Sequence, residues 1–293
     1  MPPLHCTAIV PTLNRPADLE VCLKALAAAR PAYAAVIVVD QGETPALGPL
    51  VLSHGASYLH VEQRGISKAR NTALRMAATP WIHFPDDDAI VKSDLLGRVA
   101  DALARSPSAG FLAARVLAPD GRPIMVGMEE RARPLVSPRD VLATVMSPGL
   151  FVAARVMERC GVFDERFGLG ARWPSGEESD LLFRALAAGE VGIYVPDAVV
   201  VHPDPQALRD TVSKLRRARL YGRGWGALFA RHAATAGGEG FASLHRYYVL
   251  RALGGAFVSA LTLRPDQSRY HWESWRGRRE GWRGFREAGR GST

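Results

Sequence analysis

Residues 81–88 read Trp-Ile-His-Phe-Pro-Asp-Asp-Asp, an apolar run from Trp81 to Phe84 that ends in three carboxylates, Asp86, Asp87 and Asp88. The run has the length and composition of a buried strand. Like charges this close repel one another. A strand end carrying three of them suits a hard cation, which takes oxygen ligands. Oxygen-only ligation favours Mg²⁺ or Mn²⁺ over zinc. An ion held by one or two carboxylates, with its other positions open, is the usual way of holding a phosphate-bearing substrate. Taken alone, the triplet also reads as an acidic loop with nothing bound.

Outward from this strand, short apolar runs alternate with helical patterns. His5 to Val10, Ala35 to Val39 (closed by Asp40) and Ala56 to Val61 read as strands. Ala17 to Arg30 and Ile66 to Ala77 read as helices, the first with Leu19, Cys22, Leu23 and Leu26 on one face. Ser93 reads as the cap of a further helix, with Asp94 in its first turn. This alternation implies an α/β fold: a mostly parallel sheet with helices on both faces. Such sheets bind ligands at the carboxyl ends of their strands. Here those ends carry Pro11-Thr12-Leu13-Asn14, Asp40-Gln41-Gly42 and Asp86 to Asp88, so polar groups from three strands share one rim.

Residues 109–153 are less regular, with short strands around Gly110 to Ala114 and Leu150 to Ala153. Glu177 to Ala188 reads as a helix, and Gly192 to Val195 and Ala198 to Val201 as strands, the second ending at His202. From Pro205 the pattern is helical: a basic stretch over Leu208 to Leu220, an apolar one over Tyr247 to Leu263, and an Arg/Trp-rich one over His271 to Phe285. The chain therefore divides into an α/β domain, 1–204, and a basic helical C-terminal subdomain, 205–293.

The 293 residues can bury a full core. No stretch reaches the roughly 18 uncharged apolar residues of a membrane span, and no signal peptide is visible at the start. Cys6, Cys22 and Cys160 show no metal-like spacing and read as buried free thiols of a reducing cytoplasm. The net charge of +8 is unevenly placed. Residues 205–293 hold 17 Lys and Arg against 6 Asp and Glu, a balance of +11, and the remainder is −3. Any partner read from charge therefore belongs to the C-terminal segment.

From about Thr7 to His202 the chain resembles the family 2 glycosyltransferases, inverting sugar transferases with the Rossmann-like GT-A fold. Five landmarks in order carry the resemblance: IVPTLNR (9–15), IVVDQGE (37–43), RGISKARNTAL (64–74), FPDDDA (84–89), and GEESDLLFR (176–184) with the later VVHP (200–203). The resemblance makes the triplet a DxD motif. Asp88 would ligate Mn²⁺ or Mg²⁺, Asp86 and Asp87 would hold the ribose or metal-bound water, and His202 would complete the metal shell. Asp40 would contact the nucleotide's base or ribose. Gln41 stands where many members carry a second Asp. A glutamine can accept from N3–H and donate to a carbonyl of uracil or thymine, so UDP- or dTDP-linked donors are favoured.

Pro11, Thr12 and Asn14 lie at a strand-to-helix junction, where backbone N–H groups favour anions, although an N-cap with no ligand explains them equally. Arg64 and Arg70 flank the start of a helix and read either as base or phosphate contacts or as surface ion pairs; Asn71 reads as fixing the loop. Gly149 reads as a position that would let backbone approach the donor sugar. In the family's ED motif the general base corresponds to Glu178, a Glu where most members have Asp. Glu177 and Asp180 remain rivals, and helix capping alone would also explain this acidic cluster. Trp173 and Glu177 are candidates for the acceptor side, Trp173 equally for the core.

For the C-terminal helices, with Tyr247, Tyr248, Trp272, Trp275 and Trp282 among arginines, three readings compete. They lie on an anionic membrane at its inner face, they form a homodimer or acceptor-binding subdomain, or they bind nucleic acid, which no motif supports. The overall expectation is a cytoplasmic, metal-dependent glycosyltransferase that moves a sugar from a nucleoside diphosphate to a glycan or lipid-linked hydroxyl. A sugar-nucleotide pyrophosphorylase lacks support because residues 11–15 are not a Gly-rich phosphate loop. A non-catalytic nucleotide- or glycan-binding module would keep the fold and lose the base.

Overall fold

The computed structural model describes residues 4–43, 47–204 and 210–290. The first half runs β1 (Cys6–Thr12), α1 (Pro16–Ala27), β2 (Ala35–Asp40), α2 (Leu47–Ser53), β3 (Ser57–His60), α3 (Ile66–Leu74) and β4 (Trp81–His83). It continues through β5 (Ile90–Val91), α4 (Leu95–Arg105), β6 (Ala109–Leu117), β7 (Arg133–Leu135), α5 (Pro138–Thr144), β8 (Leu150–Ala153) and α6 (Ala154–Cys160). The last elements are α7 (Glu177–Ala187), β9 (Val191–Val201), α8 (Thr211–Ala233), α9 (Glu239–Leu261) and α10 (Pro265–Arg290).

The described strands form one sheet in the order β3-β2-β1-β4-β8-β6-β9-β5, with β7 also on β9. From β3 to β4 the pairings are parallel, as the strand-helix alternation implies. Beyond β4 the sheet is mixed: β8 lies antiparallel to both β4 and β6, and β5 and β7 antiparallel to β9. Of these, β6, β7 and β8 fall within 109–153, the stretch whose pattern is least regular in sequence. The two strands expected over 192–195 and 198–201 are one strand, β9. Its register on β6 jumps between Val195, opposite Ala114, and Val199, opposite Arg115, because Pro196 cannot donate to the ladder.

All of β1 is buried, as a strand covered on both faces must be. Cys6, Ala8 and Val10 join Leu19, Cys22 and Leu23 of α1 and Leu95, Leu96 and Val99 of α4 in one apolar cluster. The small, apolar Ala69 and Ala73 of α3 are buried outside that cluster, and α3 packs on β1 and β2. At the start of α4 the cap position is Asp94 and not Ser93. Asp94 makes no capping bond and instead accepts from Arg98, while the Ser93 carbonyl accepts from the Arg30 amide.

His83 is fully buried and stacked on Phe151, with ring centroids 4.1 Å apart. Its Nε2 meets the Pro148 carbonyl at 2.8 Å and its Nδ1 the Tyr33 hydroxyl at 2.8 Å. A carbonyl only accepts, so Nε2 carries the hydrogen and Nδ1 accepts from Tyr33. The neutral ring is thus fully satisfied. Burial pushes its pKa down to about 4, against smaller opposing effects of Pro148 and Asp86. An unfolded histidine titrates near 6.5. Between these values the unfolded chain binds a proton that the native ring refuses, so His83 removes stability as pH falls through that window, by about 1.4 kcal/mol per pH unit. Asp87, pushed up to about 6, acts with the opposite sign over much of the same range. Denaturant unfolding between pH 7 and pH 4 should therefore show a less positive dependence of stability on pH in His83→Gln than in the wild type. Identical slopes would contradict the buried neutral ring.

The chain forms two compact units: residues 1–163 with 178–204, and residues 164–177 with 205–293. The basic stretch expected from Leu208 begins outside the described residues, and its helix, α8, starts at Thr211. In the second unit α8 and α10 approach backbone to backbone. A Cβ on Gly222 would lie 2.7 Å from the Ser274 carbonyl, and Gly226, Gly277 and Gly281 are equally crowded by the facing helix. Two Gly-x-x-x-Gly spacings that the sequence reading passed over thus mark a helix-helix contact. Tyr248 stacks on Phe229 and Trp282 on His245, so these two aromatics belong to the unit's interior packing. Tyr247 and Trp272 are exposed. Cys6 and Cys22 are buried free thiols, whereas Cys160 is only partly buried. No described helix is long and apolar enough to cross a membrane.

Candidate functional site

The switch point of the sheet lies at the carboxyl ends of β1 and β4, which lead to different neighbours. Thr12, last in β1, donates from its hydroxyl to Asp87 Oδ2 at 2.7 Å. Arg15 reaches Asp87 Oδ1 at 2.7 Å and Asp88 Oδ2 at 2.8 Å, supplying the counter-charge that adjacent carboxylates require. The sequence reading did not single out Arg15. A cation just past one strand end, facing a rim with three carboxylates, is the signal that could have found it.

His202 is brought to the triplet by β5. The chain leaves Asp88 through Ala89 into β5, whose Ile90 pairs with Val201, the last residue of β9. His202 follows directly, and its amide donates to the Leu117 carbonyl of β6. Its Nε2 then lies 2.9 Å from Asp88 Oδ1 and 3.6 Å from Asp86 Oδ2. Its Nδ1 donates to the Pro203 carbonyl at 2.7 Å, which fixes the ring with Nε2 toward the carboxylates. The outer oxygens are held by arginines: Asp88 Oδ2 by Arg15 and Asp86 Oδ1 by Arg70 at 3.2 Å. One oxygen from each aspartate and one imidazole nitrogen thus face each other, and ligand atoms of Asp86, Asp88 and His202 all lie within 4.8 Å of one another.

The electrostatics follow from this packing. Burial works against a charged His202, but the two carboxylates outweigh it and hold its pKa up to about 10. Burial likewise opposes ionisation of Asp88, yet His202 and Arg15 keep it well below the usual carboxylate range. For Asp87, burial dominates the opposing Thr12 bond and Arg15 charge and raises it to about 6. Two hard oxygens and one imidazole nitrogen form a donor set that a divalent ion such as Mn²⁺ or Mg²⁺ fits.

Arg70 is not a surface residue. It is fully buried, with its guanidinium against the rings of both Phe84 and Phe163 and hydrogen-bonded to Ser147 as well as Asp86. Its contact with the site runs through Asp86. Asn71 fixes a loop by exchanging two hydrogen bonds with the Phe163 backbone. Arg64 is exposed. Gly149 is buried in a 3-10 turn, where a Cβ would lie 2.7 Å from the Ala114 carbonyl, so the close backbone approach there is to β6.

At the end of β2, Asp40 is buried and accepts from the Gly42 amide at 2.8 Å and the Tyr58 hydroxyl at 2.9 Å. Beside it lies a cleft of about 410 Å³ lined by Asp40, Glu43, Gly48, Tyr58 and His60. Tyr58 and His60 come from β3 and Gly48 from α2, a helix absent from the sequence reading. The Gln41 amide nitrogen donates to the carbonyls of Gln63 and Gly65, so the expected donation to a base is taken up internally and its carbonyl oxygen is the group that can meet one. Pro11 is buried within β1. Asn14 has a positive φ of 54° and accepts from the Glu43 amide, tying the β1 and β2 ends together; the cap position of α1 is Arg15.

The three acidic residues at the start of α7 differ sharply. Asp180 is fully buried and paired with Arg184 at 3.0 Å, and Arg184 also binds the carbonyls of Cys160, Gly161 and Val162. Glu177 is buried and Glu178 is partly exposed. Trp173 is buried against Phe285, Gly284 and the Arg172 guanidinium, which is the core placement.

Comparison with known proteins gives a consistent picture. The family model described as glycosyl transferase family 2 matches residues 7–152. The pre-mycofactocin glycosyltransferase of Mycobacterium tuberculosis is 27% identical over 244 residues, covering 77% of this chain and 48% of its own length. The chain thus spans about half the length of the curated relatives it matches. Among solved structures, S. aureus TarS 1–349 in complex with UDP-GlcNAc shares the fold with a TM-score of 0.59 at 18% identity, over 93% of this chain and 92% of that one. The mannosyltransferase PcManGT of Pyrobaculum calidifontis, in complex with GDP-Man and Mn²⁺, gives a TM-score of 0.58 at 19% identity, over 92% of this chain and 85% of that one.

Proposed function

Because the chain belongs to glycosyl transferase family 2, matched over residues 7–152, we propose that it transfers a sugar, with inversion, from a nucleoside diphosphate donor to an acceptor hydroxyl. The observation that carries this reading is the cluster of Asp86, Asp88 and His202 at the switch point of the sheet. These three residues would hold Mn²⁺ or Mg²⁺. When bound, the ion neutralises charge on the leaving nucleoside diphosphate. Arg15 and Arg70 keep the aspartates in register by occupying their outer oxygens. Thr12 and Arg15 each hold one oxygen of Asp87, and the remaining lone pairs of that carboxylate would meet ribose or water.

The cleft beside Asp40 is the proposed nucleoside site. Next to Asp40 in sequence, the Gln41 carbonyl oxygen would accept from N3–H of uracil or thymine, which favours UDP- or dTDP-linked donors. Of the three acidic residues on α7, Glu178 is the proposed base: Asp180 is committed to Arg184 and Glu177 is buried. Glu178 would take the acceptor hydroxyl's proton as that oxygen attacks. The acceptor is proposed to be a glycan or lipid-linked hydroxyl, and the relative's name adds pre-mycofactocin to the acceptors to be tried.

Thermal shift with UDP, dTDP, GDP and CDP, each with and without Mn²⁺, tests the reading. Ligand at a hundred times its Kd stabilises a native protein by about 2.7 kcal/mol. The expected result is a rise in Tm with UDP or dTDP only when Mn²⁺ is present. No metal-dependent rise with any nucleotide would overturn the reading.

A further inference from the structure

Helix α9 is apolar on two sides. Leu244, Ala252 and Ala256 form its inner side and are buried. Tyr247, Leu250, Phe257, Val258 and Leu261 are 54–74% exposed. At about 100° per residue these five fall within one arc of about 100°, along about 21 Å of helix. Single exposed apolar side chains are ordinary, but a contiguous stripe marks an interaction surface.

Charge identifies what meets it. Between Glu239 and Asp266 the sequence has no acidic residue, and exposed Arg246, Arg251 and Arg264 stand at the ends and edge of the stripe. Residues 205–293 as a whole carry 17 basic against 6 acidic side chains. A second copy would set this excess against itself. An anionic bilayer complements both features, taking the apolar side chains into the acyl boundary while the arginines reach lipid phosphates. Because α9 is too polar to span a membrane, it suits lying in the interface plane. We propose that the outer face of α9 seats the protein on an anionic membrane. This goes beyond the reading of the metal site and does not depend on it.

Co-sedimentation of the full chain with vesicles tests the proposal, comparing phosphatidylcholine alone with a phosphatidylcholine–phosphatidylglycerol mixture. The expected result is binding to the anionic mixture that weakens as salt is raised from about 0.05 M to about 0.5 M. The variant Leu250→Gln/Phe257→Gln/Leu261→Gln should bind at least about tenfold more weakly, because three apolar side chains no longer enter the lipid. Leu52→Gln, which changes a 63% exposed leucine of α2, should bind like the wild type. A wild type that stays in the supernatant, or a triple variant that binds as tightly, overturns the proposal. So does a wild-type dimer without vesicle affinity that the triple variant makes monomeric. Thermal shifts with nucleotide and Mn²⁺ should be the same in all these proteins, which separates failure of the membrane proposal from failure of the site.

Discussion

Replacing Asp88 by alanine is expected to cut sugar transfer by at least about a thousandfold and to remove the Mn²⁺ dependence of nucleotide binding. The physical reason is the position of Oδ1, 2.9 Å from His202 Nε2, where it supplies one of the inward-facing donor atoms. A bound divalent ion contributes several kcal/mol to stabilising developing charge on phosphate oxygens, and about 4 kcal/mol corresponds to a factor of a thousand. The fold should survive. Arg15 retains Asp87 and Asp18, and His202 retains Asp86. The nucleotide-free protein should lose only about 2–4 °C in Tm, as expected for removal of a partly exposed pair. Transfer rates and Tm measured on the same preparation distinguish loss of the site from loss of the fold. Wild-type transfer by Asp88→Ala would remove that residue from the site.

Glu178→Gln is expected to lower kcat by about 10²–10⁴ while leaving nucleotide affinity unchanged. General-base catalysis contributes on this scale, and the amide keeps the shape of the side chain while losing its basicity. The rivals give different expectations. Asp180→Asn weakens the bond to Arg184, which also binds three carbonyls after α6, so its effect should appear as lost stability. Steady-state kinetics with nucleotide affinity measured in parallel separates these. Unchanged kcat in Glu178→Gln would remove it from the role of base.

Much of the sheet was legible because its parallel half is written in consecutive buried runs, Cys6–Thr12, Ala35–Asp40 and Trp81–His83, each ending in polar residues. The triplet was legible for the same reason: its residues are adjacent. Less visible was what depends on distant pairing. Strand β5 is two residues long, too short to show a period, yet its pairing with β9 sets His202 against Asp88. Arg70 read as a base or phosphate contact or a surface ion pair because arginine is rarely buried without a partner, and its partners, Asp86 and Ser147, come from separate loops. Trp173 offered two readings because a tryptophan looks alike in a core and on a sugar platform; its neighbours Gly284 and Phe285 lie over a hundred residues away. In the C-terminal unit the apolar stretch of α9 gave no helical stripe, since both its inner and outer faces are apolar.

The central claim is that Asp86, Asp88 and His202 bind a divalent ion together with a nucleoside diphosphate. Titration of Mn²⁺ followed by electron paramagnetic resonance, which detects the free ion, tests it most directly. The account predicts that wild-type protein with UDP or dTDP removes one equivalent of Mn²⁺ from solution and that Asp88→Ala does not. A free-ion signal that stays at full height with wild-type protein and every nucleotide would contradict it.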